Sequence, residues 1–112
     1  MPAYSVQNDL EGVGAYLLAS EILLVGLNHK TATLAVRERV AFSTERLGSA
    51  LTCLKESVGE GVILSTCNRT EVYCKSDDPD AVLGFVSDFH RIEAKTVFPY
   101  IYRHAGHKAV RH

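Results

Sequence analysis

Three observations predict an α+β fold built on one sheet. Two short apolar runs, Ile22-Leu23-Leu24-Val25-Gly26-Leu27 and Val62-Ile63-Leu64, have the length and β-branched content of buried strands. Two longer stretches carry apolar residues at helical spacing: Leu47, Ala50, Leu51, Leu54 and Val58, then Val82, Leu83, Phe85, Val86 and Phe89. Ordered along the chain, the elements read strand, helix, strand, strand, helix, strand. That βαββαβ order predicts a ferredoxin-like sandwich, a four-stranded antiparallel sheet with the helices on one face.

The first strand ends in Asn28-His29-Lys30-Thr31, a polar cluster at its C-terminal end. A short helix is predicted over Ala35-Val36-Arg37-Glu38-Arg39-Val40, its charges forming a solvated face. Ser43 is the predicted N-cap of the next helix and Gly59 its stop. Gly61 then opens a hairpin whose second strand includes Val72 and Tyr73. Asp78 as N-cap and Pro79 at the first helical position start the second main helix. The last strand is predicted at Val97-Phe98 and Tyr100-Ile101-Tyr102, with Pro99 placing it at an edge or a bulge. Arg103 to Gly106 then lead to a helix beginning at His107.

A chain of 112 residues, 46% apolar, suits one domain with a real core. Residues 1–20 read as an N-terminal extension, flexible around Gln7-Asn8-Asp9. Its apolar run at Ala15–Ser20 is short, is cut off by Glu21 before Ile22 and has no basic residue before it. It therefore fits neither a secretory signal nor a span of ~20 apolar residues. The net charge of −1 provides no overall attraction to nucleic acid or anionic membranes, so RNA contacts would need a local patch. Three cysteines without a close pair argue against a disulfide framework and a zinc ribbon, and favour a reducing interior. Gly106 breaks up His104, His107 and His112, so no metal site is expected there. His90, His104 and His107 read as surface residues, and Cys53 and Cys74 as ordinary thiols.

Chemistry concentrates in Ser65-Thr66-Cys67-Asn68-Arg69-Thr70-Glu71, between the hairpin strands. A thiol beside a fixed cation is a candidate nucleophile, because positive charge favours the thiolate. The residues alone leave two readings open, a nucleophile and an ordinary turn cysteine. His29 is equally open between a turn residue and a site residue.

Four blocks in order carry a resemblance: Gly26-Leu27-Asn28-His29-Lys30-Thr31-Ala32, Arg37-Glu38-Arg39-Val40, Leu64-Ser65-Thr66-Cys67-Asn68-Arg69-Thr70-Glu71-Val72-Tyr73, and Ala109-Val110-Arg111-His112. Over residues 21–112 the chain resembles the N-terminal catalytic domain of the glutamyl-tRNA reductases, itself a ferredoxin-like unit. The resemblance implies an NADPH-dependent reduction of glutamyl-tRNA(Glu) to glutamate-1-semialdehyde for tetrapyrrole biosynthesis. It implies Cys67 as the nucleophile that forms a thioester, and His112 as a catalytic histidine. Thr66, Asn68, Arg69 and His29 would hold the substrate, Arg69 by a bidentate grip on its γ-carboxylate. Thr33 stands where the family often has proline, a change in a turn. The family's NADPH domain carries a Rossmann glycine fingerprint that this sequence lacks, and the dimerising C-terminal region also lies outside it. The chain thus reads as truncated after His112 and inactive alone as a reductase, its parent a homodimer. The aminotransferase that consumes the semialdehyde would be a partner. The implied location is the cytoplasm, or the plastid for a plant-type source.

Two rival readings predict different behaviour. A non-catalytic ferredoxin-like module would bind RNA or a protein, with Tyr73, Tyr100 and Tyr102 as candidate stacking residues. A cysteine hydrolase would pair Cys67 with His29 or His112 and turn over simple esters.

Overall fold

In the computed structural model, which describes residues 3–5, 22–106 and 109, alternating strands and helices form one antiparallel sheet with helices packed on one face. The strands are β1 (Ala3–Ser5), β2 (Ile22–Asn28), β3 (Gly61–Ser65), β4 (Arg69–Lys75) and β5 (Tyr102–Ala105). The helices are α1 (Leu34–Val40), α2 (Leu47–Ser57), α3 (Pro79–His90) and the single turn α4 (Ala94–Val97). Strand order is β1-β3-β4-β2-β5, every pair antiparallel. The four strands β2 to β5, side by side in the order β3-β4-β2-β5, reproduce the ferredoxin-like arrangement that the order of elements predicts. Within the stretch read as an extension, Ala3–Ser5 pairs with Ser65–Ile63, while Gln7-Asn8-Asp9 lies outside the described residues.

Strand alternation sorts the side chains between two faces. Leu23, Val25 and Leu27 of β2, Ile63 of β3 and Val72 and Cys74 of β4 join one core with Val40, Phe42, Ala50, Leu54, Val82, Leu83, Phe85 and Val86. Each fully buried Leu or Phe there is worth about 1.5–3 kcal/mol of transfer free energy. Ile22 and Leu24 point the other way and pack with Ala109, Tyr73 and Tyr102. Being central and covered on both sides, β2 is buried from Ile22 to Leu27, which is why it reads as an unbroken apolar run.

Local signals explain the helix ends. The Asp78 carboxylate accepts from the amides of Asp80 (3.0 Å) and Ala81 (3.3 Å), with Pro79 at the first helical position. Thr33 caps α1, its hydroxyl accepting from the Val36 amide at 3.4 Å. Before α2 runs a 3-10 turn, Thr44–Arg46; Ser43 precedes it in an extended conformation and makes no side-chain cap bond. No helix among the described residues is long and apolar enough to cross a membrane.

Two predictions need correction. The last strand is not at Val97–Tyr102. Val97 ends α4, Phe98–Tyr100 is a 3-10 turn, and the strand runs Tyr102–Ala105 along the edge of β2. Pro99 is the reason: in the first turn of a helix its missing N–H costs nothing, whereas in a strand it would remove a ladder bond. His90 is not a surface residue either. Its ring lies 4.5 Å from that of Phe42 and 5.5 Å from that of Phe89, with Nε2 buried.

Candidate active site

The site is built on the turn joining β3 to β4. Ser65 and Thr70, opposite each other in the ladder, are buried and share a hydrogen bond of 3.2 Å between their hydroxyls. Ser65 Oγ also accepts from the Phe42 amide at 2.9 Å, tying the base of the turn to the chain ahead of α2. Thr66, Cys67, Asn68 and Arg69 form the projecting tip. The Thr66 amide donates to the Arg69 carbonyl at 2.8 Å. The Thr66 hydroxyl oxygen accepts from the amides of Asn68 (3.1 Å) and Arg69 (3.2 Å). Thr66 is therefore first a brace of the turn. Its hydroxyl proton is not used in these two bonds. Cys67 is a free, exposed thiol at the tip, and Asn68 is exposed beside it. By contrast, Cys74 is buried in the core, and burial pushes its thiol up to about 12.

Arg69 opens β4 opposite Asn28, the last residue of β2. This pairing places the His29-Lys30-Thr31 turn next to the cysteine turn. Asn28 shapes that second turn: its Oδ1 accepts from the amides of Lys30 (2.8 Å) and Thr31 (3.2 Å). His29 is exposed on it. Cys67, Thr66, Asn68, Arg69 and His29 thus gather at one end of the sheet. His112, the remaining predicted site residue, lies outside the described residues.

Behind Arg69 sits a buried carboxylate. Glu71 is fully buried on the face away from the helices. Its Oε1 accepts from the Tyr73 hydroxyl at 3.0 Å, and its Oε2 from the Tyr102 hydroxyl at 2.5 Å. Arg69 Nε lies 3.8 Å from Oε1. Glu71, Gly26 and Tyr102 occupy one rung across β4, β2 and β5. The Glu71 side chain can cross β2 because Gly26 has no side chain: a Cβ there would meet Glu71 Cγ at 2.8 Å and the Thr70 carbonyl at 2.7 Å. Burial first, and then Glu71, push both phenols well above the usual tyrosine range, so they stay protonated donors. Tyr73 and Tyr102, offered above as RNA-stacking residues, are half-buried and engaged with Glu71.

The sequence reading missed two more participants. Arg37 was assigned to a solvated face; instead its Nε donates to the Cys67 carbonyl at 3.1 Å and its Nη1 to the Ala32 carbonyl at 2.8 Å. Glu71 was noted only as a charge in the turn. Strand alternation could have placed it on the opposite face from Thr70, and Gly26 was the available hint of a close crossing.

This α+β unit thus carries, at one end of its sheet, an exposed free thiol on a braced hairpin with a half-exposed arginine beside it. Comparison with known proteins gives its class. Residues 25–112 match the family model "Glutamyl-tRNAGlu reductase, N-terminal domain". The chain is 42% identical over 93 residues to the glutamyl-tRNA reductase of Shewanella baltica, covering 81% of this chain and 22% of that protein. It is 45% identical over 94 residues to that of Nitrosomonas europaea, covering 82% and 23%. The chain belongs to the glutamyl-tRNA reductase family and carries its N-terminal domain. It spans less than a quarter of the length of these curated relatives.

Proposed function

We propose that this chain is the acyl-accepting domain of an NADPH-dependent glutamyl-tRNA reductase acting in tetrapyrrole synthesis, with Cys67 as the nucleophile. The observation that carries the reading is the exposed Cys67 on a turn whose neighbour Arg69 can hold a carboxylate. The Cys67 thiolate attacks the ester carbonyl that links glutamate to the terminal ribose. A C–S bond forms, the C–O bond breaks, and the ribose hydroxyl leaves with a proton. No electrons are gained or lost in this step. Arg69 takes the substrate's γ-carboxylate through its terminal nitrogens, its Nε side being turned towards Glu71. Thr66 offers its hydroxyl proton, and Asn68 and His29 stand exposed at the same end of the sheet. His112 is assigned to proton transfer on the strength of the sequence resemblance alone.

Reduction of the thioester to glutamate-1-semialdehyde needs a hydride, which is the chemistry NADPH supplies when bound. A dinucleotide site calls for a glycine-rich turn between a strand and a helix. None occurs among the described residues, where β2 leads into α1 through Asn28–Thr33 and β4 into α3 through Ser76–Asp78. In this proposal the hydride half, with the dimer contacts, is assigned on the sequence resemblance to the part of such relatives that this chain does not span. The aminotransferase that uses the aldehyde is proposed as a partner of that parent, and the cytoplasm as its location.

The test uses this chain and tRNA charged with labelled glutamate. Label should become covalently bound to the protein, be released by hydroxylamine, and disappear in Cys67→Ser. Label that persists in Cys67→Ser overturns the assignment. Equal tRNA binding by both proteins with no covalent product would favour a non-catalytic RNA-binding module.

A further inference from the structure

We infer that Arg37 is a positioning residue for the nucleophile, holding the peptide group that follows Cys67. This rests on the reading of Cys67 as the reacting group. The Cys67–Asn68 peptide is held at both poles. Its carbonyl accepts from Arg37 Nε at 3.1 Å, and its N–H donates to the Thr66 hydroxyl at 3.1 Å. Holding both ends fixes ψ of Cys67 and φ of Asn68, and with them the direction in which the thiol leaves the backbone. The Thr66 brace comes from within the turn. Arg37 comes from α1, thirty positions away in the chain, and so refers the turn to the body of the domain.

The second bond explains why the group must be a guanidinium. Arg37 Nη1 donates to the Ala32 carbonyl at 2.8 Å, at the end of the loop that carries His29. One planar fork therefore joins both site loops, Cys67 on one side and Ala32 on the other. A lysine has the same charge but only a single nitrogen, without the fixed separation of Nε and Nη1. Ala32 is itself buried, and its amide donates to the Asn28 carbonyl at 2.9 Å, so this end of the fork is anchored firmly.

The experiment compares this chain with Arg37→Gln and Arg37→Lys. Acyl transfer from labelled glutamyl-tRNA is measured across substrate concentrations, and the backbone order parameter of the Asn68 amide by NMR. Both variants should lower the saturating acylation rate on the order of ten- to a hundredfold, as for a displaced reacting group. Half-saturation should change less than about twofold, because Arg69, not Arg37, meets the substrate. The Asn68 order parameter should fall from the rigid value of about 0.85 towards about 0.6. Recovery of the wild-type rate by Arg37→Lys would show that charge alone suffices, and would overturn the tether. So would unchanged order in both variants. If the unaltered chain accepts no acyl group, the proposed function fails, while the NMR arm still decides whether Arg37 holds the turn.

Discussion

The two faces of the sheet use the same strands for opposite purposes. On the helix side β4 contributes Thr70, Val72 and Cys74, and the space is filled mainly by apolar side chains such as Phe42, Leu54, Ile63 and Val82. On the other side the same strand contributes Arg69, Glu71 and Tyr73, and buries a carboxylate between two phenols. The first arrangement gains from area removed from water and is insensitive to small rotations. The second gains little net free energy, because desolvating a carboxylate costs about as much as its hydrogen bonds return. What it provides is direction: a fixed acceptor that orients the arginine at the mouth of the site. Stability should therefore track the helix face, and substrate handling the other.

The largest expected effect tests that division. Leu54 is fully buried against the sheet, so Leu54→Ala should cost about 2–5 kcal/mol of unfolding free energy. Urea denaturation measures it. Below the new melting point, acylation of Cys67 should be unchanged; a matching loss of acylation rate would break the comparison. Glu71→Gln makes the converse case. It keeps the volume and removes the charge, so unfolding should shift by less than about 2 kcal/mol. The concentration of glutamyl-tRNA needed for half-maximal acylation should rise several-fold, because Arg69 loses its orienting charge. Tyr102→Phe removes one donor from the same carboxylate and should cost about 1 kcal/mol, read from the urea midpoint.

A further test concerns pH, and here the helix side holds a half-buried histidine whose protonation folding opposes. Burial, and next the charge of Arg46, hold His90 down at about 4; a hydrogen bond with the Val40 backbone opposes them. The unfolded chain binds a proton near pH 6.5, so between pH 6.5 and about 4 it carries more protons than the folded chain. His90 thus makes stability fall as pH drops through that window and contributes no slope above it. His90→Leu should flatten this part of the profile, read as the difference in urea midpoint between pH 7 and pH 5. An unchanged difference would show that the ring is open to water in the folded state.

How much of this was legible in the sequence follows the same division. The helix face was readable because helical and strand periodicities both report burial: Leu47, Ala50 and Leu54 all lie where their spacing put them. Cys67, Thr66, Asn68, Arg69 and His29 were readable as a group because local turn chemistry and motif order brought them forward. Arg37 and Glu71 were not, since a charged residue on a short helix or strand looks solvated until its partner is known. Their partners, the Cys67 carbonyl and the Tyr102 hydroxyl, lie thirty and thirty-one positions away. The displaced last strand had the same cause. Apolar content at Val97–Tyr102 signalled burial, but only the free edge of β2 selects which residues pair with it.

The smallest expected effect is at the far end of the helix layer. α3 ends at Arg91, the single non-glycine residue with positive φ among the described residues, at 56°. Its amide donates to the Asp88 carbonyl at 3.2 Å, and the Ile92 amide to the Ser87 carbonyl at 2.9 Å, so the left-handed turn closes the helix properly. The arginine Cβ pays for that conformation, by about 1 kcal/mol relative to glycine. Glycine would also gain freedom in the unfolded chain, which offsets part of the benefit. Arg91→Gly should therefore raise unfolding free energy by about 0.5 kcal/mol, seen as a small increase in urea midpoint. Because the change touches neither sheet face, acylation and its half-saturation should stay as they are. A rise in stability accompanied by slower acylation would mean that the C-terminal end of α3 is also coupled to the cysteine turn, and that the two faces are less independent than their chemistry suggests.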